Sequence, residues 1–555
     1  MRIGMAQVNA TVGDLEGNVS RIEDFIDAAR KKNVDLVVFP ELVITGYPPQ
    51  DLILDKGFVQ RNEELLDSLI DRNSDIAAIV GFVGRQGERL HNSASVFIGS
   101  ERVGVVNKAL LPTYDVFDED RYFEPADEED IKPIHLNLRG QSFNLGVEIC
   151  EDLWDDSYDI KVTETLARRG ADLVINISAS PFCVGKRSER VAQLSKKSIE
   201  NCVPIFYVNL VGGQDELVFD GESLATDRHG NLIAVGRQFE EDLVLVDIDP
   251  LGGAPKRIKP AAFNKEKEMF DALILGVRDY YRKTGFKRAI VGLSGGIDSS
   301  LSACIAVEAL GKENVIGASM PSVFSSDHSK ADAEELARNL GILFVKFEVQ
   351  SIVDSYRDVL RRPLEEVRQY LGTSRERDDP VADENIQPRV RGNCLMDISN
   401  RLRGQGIMVL NTGNKTELAL GYCTLYGDMA GGIGALGDVS KLDVYGIARY
   451  FNEKKGRQVI PANVFVKKPS PELREGQVDP FDFDIVSPLV DEIVEHRRSK
   501  QDLIRAGFPK DVVEDTFRRI RLAEYKRRQA APCIKITPKA FGIGWKMPMV
   551  NGYRG

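Results

Sequence analysis

The chain has 555 residues, 43% of them hydrophobic and 28% charged, the composition of a soluble globular protein too long for one ordinary core. Its formal net charge of −12 excludes the broad basic field that general nucleic-acid binding requires. Seven scattered cysteines with no CxxC pair, and only five histidines, point away from a disulfide framework or zinc site and toward a reducing cytoplasm.

Met1 runs almost directly into the strand-like RIGMAQV, so no secretory leader is expected. No apolar run approaches the roughly 18 residues of a membrane span. Up to residue 250 the chain is dense in short β-rich runs, among them DLVVFPE, IAAIVGFV, FNLGVEIC, DLVINIS and IFYVNLVG. Helical stretches such as NVSRIEDFIDAARKKN lie between some of them, and LATDRHGNLIAVG reads as a hairpin turning at His229-Gly230. A sheet-on-sheet core with helices outside is expected over 1–250, followed by a Pro- and Gly-containing linker over 251–263.

From 264 to 555 the pattern changes. KEKEMFDALILGVRDYYRKTG has helical spacing, followed by AIVGL, a helix from about 298, VIGASMP, the helix KADAEELARNLG and LFVKFEV. Strands alternating with long helices predict a doubly wound parallel sheet. TSRERDDPVADENIQPRVRG is polar and interrupted by proline, so it reads as a loop. The tail beyond 460 reads as helices with proline-containing connectors.

Three polar residues sit at or just beyond strand ends in the first half: Glu41 in FPEL, Lys108 in VVNKALLPTYDVFDEDRYF and Cys150 in GVEICEDLW. A reactive thiolate needs a base for its proton and a cation for its charge. A Glu suits the first task, and a Lys suits the second as well as the oxyanion formed by attack on a carbonyl. Taken singly, each residue fits a packed core or a solvated turn. Together and in this order the three phrases resemble the Glu-Lys-Cys triad of the nitrilase superfamily over roughly residues 1–250. The resemblance implies an α-β-β-α sandwich. It makes Glu41 the base, Lys108 the electrophilic stabiliser and Cys150 the nucleophile toward an amide, with Glu119 supporting Lys108. It also implies that Tyr114, Ser180 and Lys186 bind glutamine. Lys186 and Ser178 lie in the polar stretch NISASPFCVGKRSER, where a lysine can pair with a free carboxylate.

The stretch IVGLSGGIDSS reads as a strand, a glycine turn and a helix start. It lacks the GK[ST] ending of a Walker A loop. Gly295 and Gly296 let backbone N–H groups approach an anion, and Ser294 and Ser299 add hydroxyls. The following helix contributes its positive end. Asp298 beside a phosphate requires a cation between them, so the stretch asks for magnesium pyrophosphate. It resembles the SGGxDS loop of the N-type ATP pyrophosphatases, which activate a carboxylate or carbonyl by adenylation.

ENIQPRVRG, LNTGNKTELALGYCTLYGDMAGGIGALGDVSKLDVY and YKRRQAAPCIKITPKAFG extend the resemblance over nearly the whole chain, to the glutamine-dependent NAD synthetases. It implies ATP contacts at Gly292, Leu293, Ser294, Gly295, Gly296, Ile297, Asp298, Ser299, Thr412 and Lys441. It implies contacts to nicotinic acid adenine dinucleotide at Asn385, Glu417 and Lys526, and Mg²⁺ held by Asp298 and Glu417. A cytoplasmic homo-oligomer acting on small molecules, with no nucleic acid and no membrane, is expected. Another pyrophosphate-loop amidotransferase with a different acceptor stays open, as does a catalytically dead sensor. Gly432, Gly434 and Gly437 satisfy GxGxxG, but no strand leads directly into them, so a dinucleotide fingerprint is rejected.

Overall fold

Strand alternation builds the first half. In Arg2–Gln7, Ile3 and Met5 face one core while Ala6 faces another. In Leu36–Val38, Leu36 and Val38 face the first core and Val37 the second. The computed structural model describes residues 1–249, 257–259, 262–377, 379 and 381–553. These fall into two compact units, Met1–Phe263 and Asn264–Gly555. Most of the expected linker at 251–263 lies outside the described residues.

In the first unit, one six-stranded sheet has the order Asp242–Asp247, Arg2–Gln7, Leu36–Val38, Ala77–Gln86, Arg89–Ile98, Glu101–Asn107. The other has the order Leu232–Val235, Leu224–Thr226, Ile205–Asn209, Leu173–Ser178, Gln141–Ile149, Ile134–Leu138. Their inner faces share a core of Ile3, Met5, Ile79, Leu145, Val147, Leu173 and Phe206. Helices Leu15–Lys31 and Lys56–Arg72 bury Ile22, Ile26, Leu66 and Leu69 on the outside of the first sheet. Helices Val162–Arg168 and Lys186–Asn201 bury Leu166 and Leu194 outside the second. The layering is α-β-β-α. Leu224–Thr226 and Leu232–Val235 form the expected hairpin, with Asp227 accepting from the amides of His229 and Asn231 at 2.9 Å in its turn.

The second unit is built on a five-stranded parallel sheet. Its order is Leu343–Lys346, Val315–Ser319, Arg288–Gly292, Ile407–Asn411, Ile433–Gly434. The chain starts in the middle, at Arg288–Gly292, works to one edge and returns to the other side. Strand order therefore reverses between Arg288–Gly292 and Ile407–Asn411, and open α/β sheets bind ligands outside the carboxyl ends of strands at such a point. The glycine loop follows the first of these strands and Thr412 the second. Among the described residues no helix is long and apolar enough to cross a membrane.

One expectation is overturned. The segment read as a loop contains a helix, Val381–Arg401, with Pro388 inside it. A proline there removes one backbone hydrogen bond. The helix is held by packing, with Gln387, Val390, Gly392 and Leu395 buried. At Gly392 a Cβ would come within 2.6 Å of the Gly427 carbonyl oxygen, so only glycine permits this approach.

Candidate functional sites

Glu41 and Lys108 extend from strands of the first sheet and Cys150 from a strand of the second, so the three meet at one end of the sandwich. The Lys108 ammonium donates to Glu41 Oε1 at 2.8 Å and to both Glu119 oxygens at 2.9 and 2.8 Å. Asn92 bridges the two glutamates, donating to Glu41 at 2.7 Å and Glu119 at 3.3 Å. The Tyr47 hydroxyl donates to Glu119 at 2.8 Å, and the Ala179 amide to Glu41 Oε2 at 2.8 Å. All of these side chains are buried. Burial alone would lower the Lys108 pKa, but Glu119 and Glu41 outweigh it and hold the lysine charged. Burial pushes the Cys150 thiol well up, as does Glu41, while Lys108 opposes them. The thiol thus rests protonated within the field of a base and a cation.

Cys150 opens the short 3-10 turn Cys150–Leu153 with φ 47°, a left-handed conformation uncommon for a non-glycine residue. Asp152 fixes it. Its carboxylate accepts from the amides of Ile149 at 2.9 Å, Ala109 at 3.1 Å and Leu110 at 2.8 Å. One buried acid thereby ties the turn of Cys150 to the chain leaving Lys108. Asn176 adds a bond to the Cys150 carbonyl at 3.3 Å.

Of the residues expected to bind glutamine, Tyr114 reaches this turn and Lys186 its end at Trp154. The Tyr114 hydroxyl donates to Glu151 at 2.9 Å. Ser180 is buried; its amide donates to Asn209 at 3.0 Å and its carbonyl accepts from Arg190 at 3.1 Å. The Lys186 ammonium lies 4.6 Å from the centroid of the Trp154 ring and pairs with Glu189 at 2.8 Å. Ser178 is buried on Asn176 at 2.6 Å and serves the interior.

In the second unit the loop 292–299 opens onto a cavity of about 640 Å³. Gly295 has φ +77°, and a Cβ there would lie 2.3 Å from the Ser329 carbonyl oxygen, so the turn requires glycine. The Ser294 and Ser299 hydroxyls bond each other at 3.1 Å, and Gly296 donates to Ser294 Oγ at 3.2 Å. Helix Ile297–Leu310 follows, its first turn carrying Asp298. Lys441 donates to Asp298 Oδ2 at 2.5 Å and lies 3.5 Å from Glu417 Oε1. Asn414 donates to Asp298 Oδ1 at 2.9 Å. Burial raises Glu417 to about 8, against the pull of Lys441. Thr412, Glu417 and Lys441 line the cavity with the loop.

Asn385 and Lys526 are outside that lining and meet instead around one loop. Thr424 donates to Asn385 at 2.8 Å, and Lys526 donates to the carbonyls of Gly421 at 2.8 Å and Cys423 at 2.6 Å. Tyr422 and Cys423 of this loop do line the cavity. Gly432 precedes the two-residue strand Ile433–Gly434, Gly434 ends it and Gly437 follows it, and the next helix starts only at Lys441.

The fold adds further residues to these sites. Arg391 lines the cavity and donates to the Met320 carbonyl at 2.9 Å. Burial lowers its pKa to about 10, against Glu472 and Asp428. Glu472 accepts from the hydroxyls of Ser326 at 2.7 Å and Ser329 at 2.8 Å, fastening another part of the lining. Asn92 has a signal, a polar residue in a strand that is otherwise mostly buried, and Asp152 stands two places after Cys150. Arg391 was hidden by the reading of its segment as a loop.

Two carboxylates, Asp298 and Glu417, converge on one cation at the loop. Among the described residues no group of three or more His, Cys, Asp or Glu side chains could hold a metal alone. That donor set fits Mg²⁺, which takes one or two carboxylates and completes its shell with water and substrate phosphates.

The carbon-nitrogen hydrolase family model matches residues 2–255, and the NAD synthase model matches 269–530. The chain is 42% identical to a glutamine-dependent NAD(+) synthetase of Synechocystis, over 99% of each chain. It is 40% identical to one of Thermotoga maritima, over 100% of this chain and 99% of the relative. The solved glutamine-dependent NAD+ synthetase of Acinetobacter baumannii in complex with ADP is 35% identical. It superposes with a TM-score of 0.75 over 99% of this chain and 98% of that one.

Proposed function

Because the chain belongs to the glutamine-dependent NAD(+) synthetases, we propose that its two sites divide one ATP-dependent amidation between them. In the first, Glu41 takes the Cys150 proton as sulfur attacks the glutamine amide carbon. The proton passes to the leaving nitrogen, and ammonia departs from a thioester. Water, deprotonated by Glu41, cleaves the thioester to glutamate and restores the thiol. Lys108 stays charged throughout and stabilises the oxyanion of each addition. Tyr114, Ser180 and Lys186 orient the amino-acid end.

In the second site, the nicotinate carboxylate of the dinucleotide attacks the α-phosphorus of ATP and pyrophosphate leaves. Ammonia then attacks the acyl adenylate, releasing AMP and NAD. Residues Gly292 to Ser299 cradle the phosphates through backbone N–H groups and the helix end, with Thr412 and Lys441 beside them. Asp298 and Glu417 would hold Mg²⁺, which when bound neutralises phosphate charge. Asn385, Glu417 and Lys526 would hold the dinucleotide acid.

The observation that carries this reading is the pairing, in one chain, of a buried Glu41–Lys108 cluster beside Cys150 with a glycine loop opening on a 640 Å³ cavity. The test measures NAD and AMP from nicotinic acid adenine dinucleotide, ATP and Mg²⁺, with glutamine or ammonium as donor. Wild type should use both donors and Cys150→Ala only ammonium. Equal loss with both donors in the variant would sink the division. No NAD from wild type would mean a different acceptor.

A further inference from the structure

Helix Lys186–Asn201 turns an uncommon face inward. Positions 186, 190, 193 and 197 share one side at helical spacing, and the side of a helix that packs on a sheet is ordinarily apolar. Here Arg190, Gln193 and Lys197 are polar and buried, beside apolar Leu194. Each reaches a different part of the first site. Gln193 donates to the Leu153 carbonyl at 2.8 Å, at the end of the turn that Cys150 opens. Lys197 pairs with Asp155, just beyond that turn. Arg190 reaches Ser180.

Arg190 is 1% exposed. One nitrogen of its guanidinium donates to both Asp220 oxygens, at 2.8 and 2.7 Å, at the end of strand Leu217–Asp220. The other donates to the Ser180 carbonyl at 3.1 Å and to the Ser180 hydroxyl oxygen at 3.3 Å. Asn209 accepts from the Ser180 amide at 3.0 Å, so each polar atom of Ser180 has a partner. A buried ion pair adds little stability over apolar side chains of the same volume, so stability alone gives no reason for an arginine here. Lysine carries its charge at one point, whereas the planar guanidinium reaches an acid with one nitrogen and a serine with another. A guanidinium only donates. The Ser180 oxygen therefore accepts from it, and the Ser180 hydrogen is turned elsewhere, as a donor. We propose that Arg190, anchored by Asp220, is a positioning residue for glutamine, holding Ser180 with its hydroxyl poised to donate to the substrate's carboxylate. The proposal rests on the reading of Ser180 as a glutamine contact.

The test follows glutamate release by the full chain over a range of glutamine concentrations, in Arg190→Lys, Ser180→Ala and the double variant. Arg190→Lys keeps a cation against Asp220 and loses the fork. Each single variant should raise KM for glutamine about tenfold, as for one hydrogen bond to a charged group. Their kcat should change by about twofold or less, because what is lost is binding common to substrate and transition state. The double variant should stay within about threefold of the larger single effect, since both changes break one chain of contacts. An arginine that served only the fold would lower the amount of active enzyme and so kcat, and leave KM alone. An unchanged KM in Arg190→Lys, or single effects that multiply to about 100-fold in the double variant, overturns the proposal and leaves Ser180 standing as a glutamine contact. An unchanged KM in Ser180→Ala overturns both. A second variant does not depend on how a buried lysine packs. Asp220→Asn keeps the arginine and loosens its anchor, so KM should rise in the same direction, with no further rise when Ser180→Ala is added. A wild-type KM in Asp220→Asn overturns the anchoring.

Discussion

Each unit holds a lysine between two carboxylates, and the two clusters differ in what completes them. Lys108 meets Glu41 and Glu119, and the chain itself satisfies both acids further through Asn92, Tyr47 and the Ala179 amide. The Lys108 and Glu41 side chains are 0% exposed. Lys441 meets Asp298 and Glu417, whose side chains are 17% and 21% exposed and line the 640 Å³ cavity. The first cluster is buried and its charges are paired within the chain. The second faces the cavity, where on the proposed reading a nucleotide would bring its own charges. Covalent catalysis asks the protein to hold every charge in place beforehand. Phosphate chemistry leaves part of the set to the substrate.

The same change in both clusters tests this contrast. Lys108→Met should have the largest effect. It removes the proposed oxyanion stabiliser, so glutamate release should fall by about 10³-fold. It also strands two buried acids, which costs about 3–5 kcal/mol, and calorimetry should show the first unit melting earlier. Lys441→Met should lower NAD formation with either donor by about 10²-fold and spare glutaminase activity. Its melting shift should be smaller, because its acids reach the cavity. Equal melting shifts in the two variants would break the comparison.

Next in size is the loop. Gly295→Ala forces a Cβ to within 2.3 Å of a backbone oxygen at φ +77°. Since small misplacements of a positioning group cost up to about 10²-fold, kcat/KM for ATP should fall about 10- to 100-fold. Gly296→Ala should be milder, since its nearest neighbour is the Ser294 hydroxyl at 3.2 Å. A smaller loss from Gly295→Ala than from Gly296→Ala would remove the steric explanation. Tyr114→Phe loses one bond to Glu151 at a half-exposed site. Its KM for glutamine should rise about tenfold or less, as for one hydrogen bond to a charged group, with ammonium-dependent synthesis unchanged.

The layers and both loops were legible because their signals are local. Period-two strands, the alternation of strand and helix, and SGGID each state their structure within a dozen residues. Val381–Arg401 was not legible, because its stability comes from contacts such as Gly392 on Gly427 that override Pro388. Glu41, Lys108 and Cys150 were visible as strand-end residues. Of their partners Glu119 was visible too, while Asn92 and Tyr47 gain their meaning only when segments distant in sequence come together. Lys441 was read as a phosphate contact, and its grip on Asp298 and Glu417 requires the folded sheet.

The smallest expected effect concerns what a sealed site does to its surroundings. Glu148 lies inside the first unit, accepting from Thr163 at 2.9 Å and Asn176 at 3.2 Å. Burial first, then neighbouring Asp152, raise it from an ordinary 4.5 to about 8. The folded chain therefore binds a proton that the unfolded chain has released between these values. That contribution to stability is complete below pH 4.5 and is lost as pH rises through 8. Its slope is at most about 1.4 kcal/mol per pH unit. Glu148→Gln keeps the shape and cannot ionise, so its unfolding free energy should fall less between pH 6 and pH 9 than that of wild type. Asp152, raised by burial to about 7, remains in both proteins and contributes its own slope. The difference between the two curves reports Glu148 together with its coupling to Asp152, and parallel curves would mean that the acid ionises freely in the fold. In that case water reaches the layer beneath Cys150, and the first site is less sealed than the second.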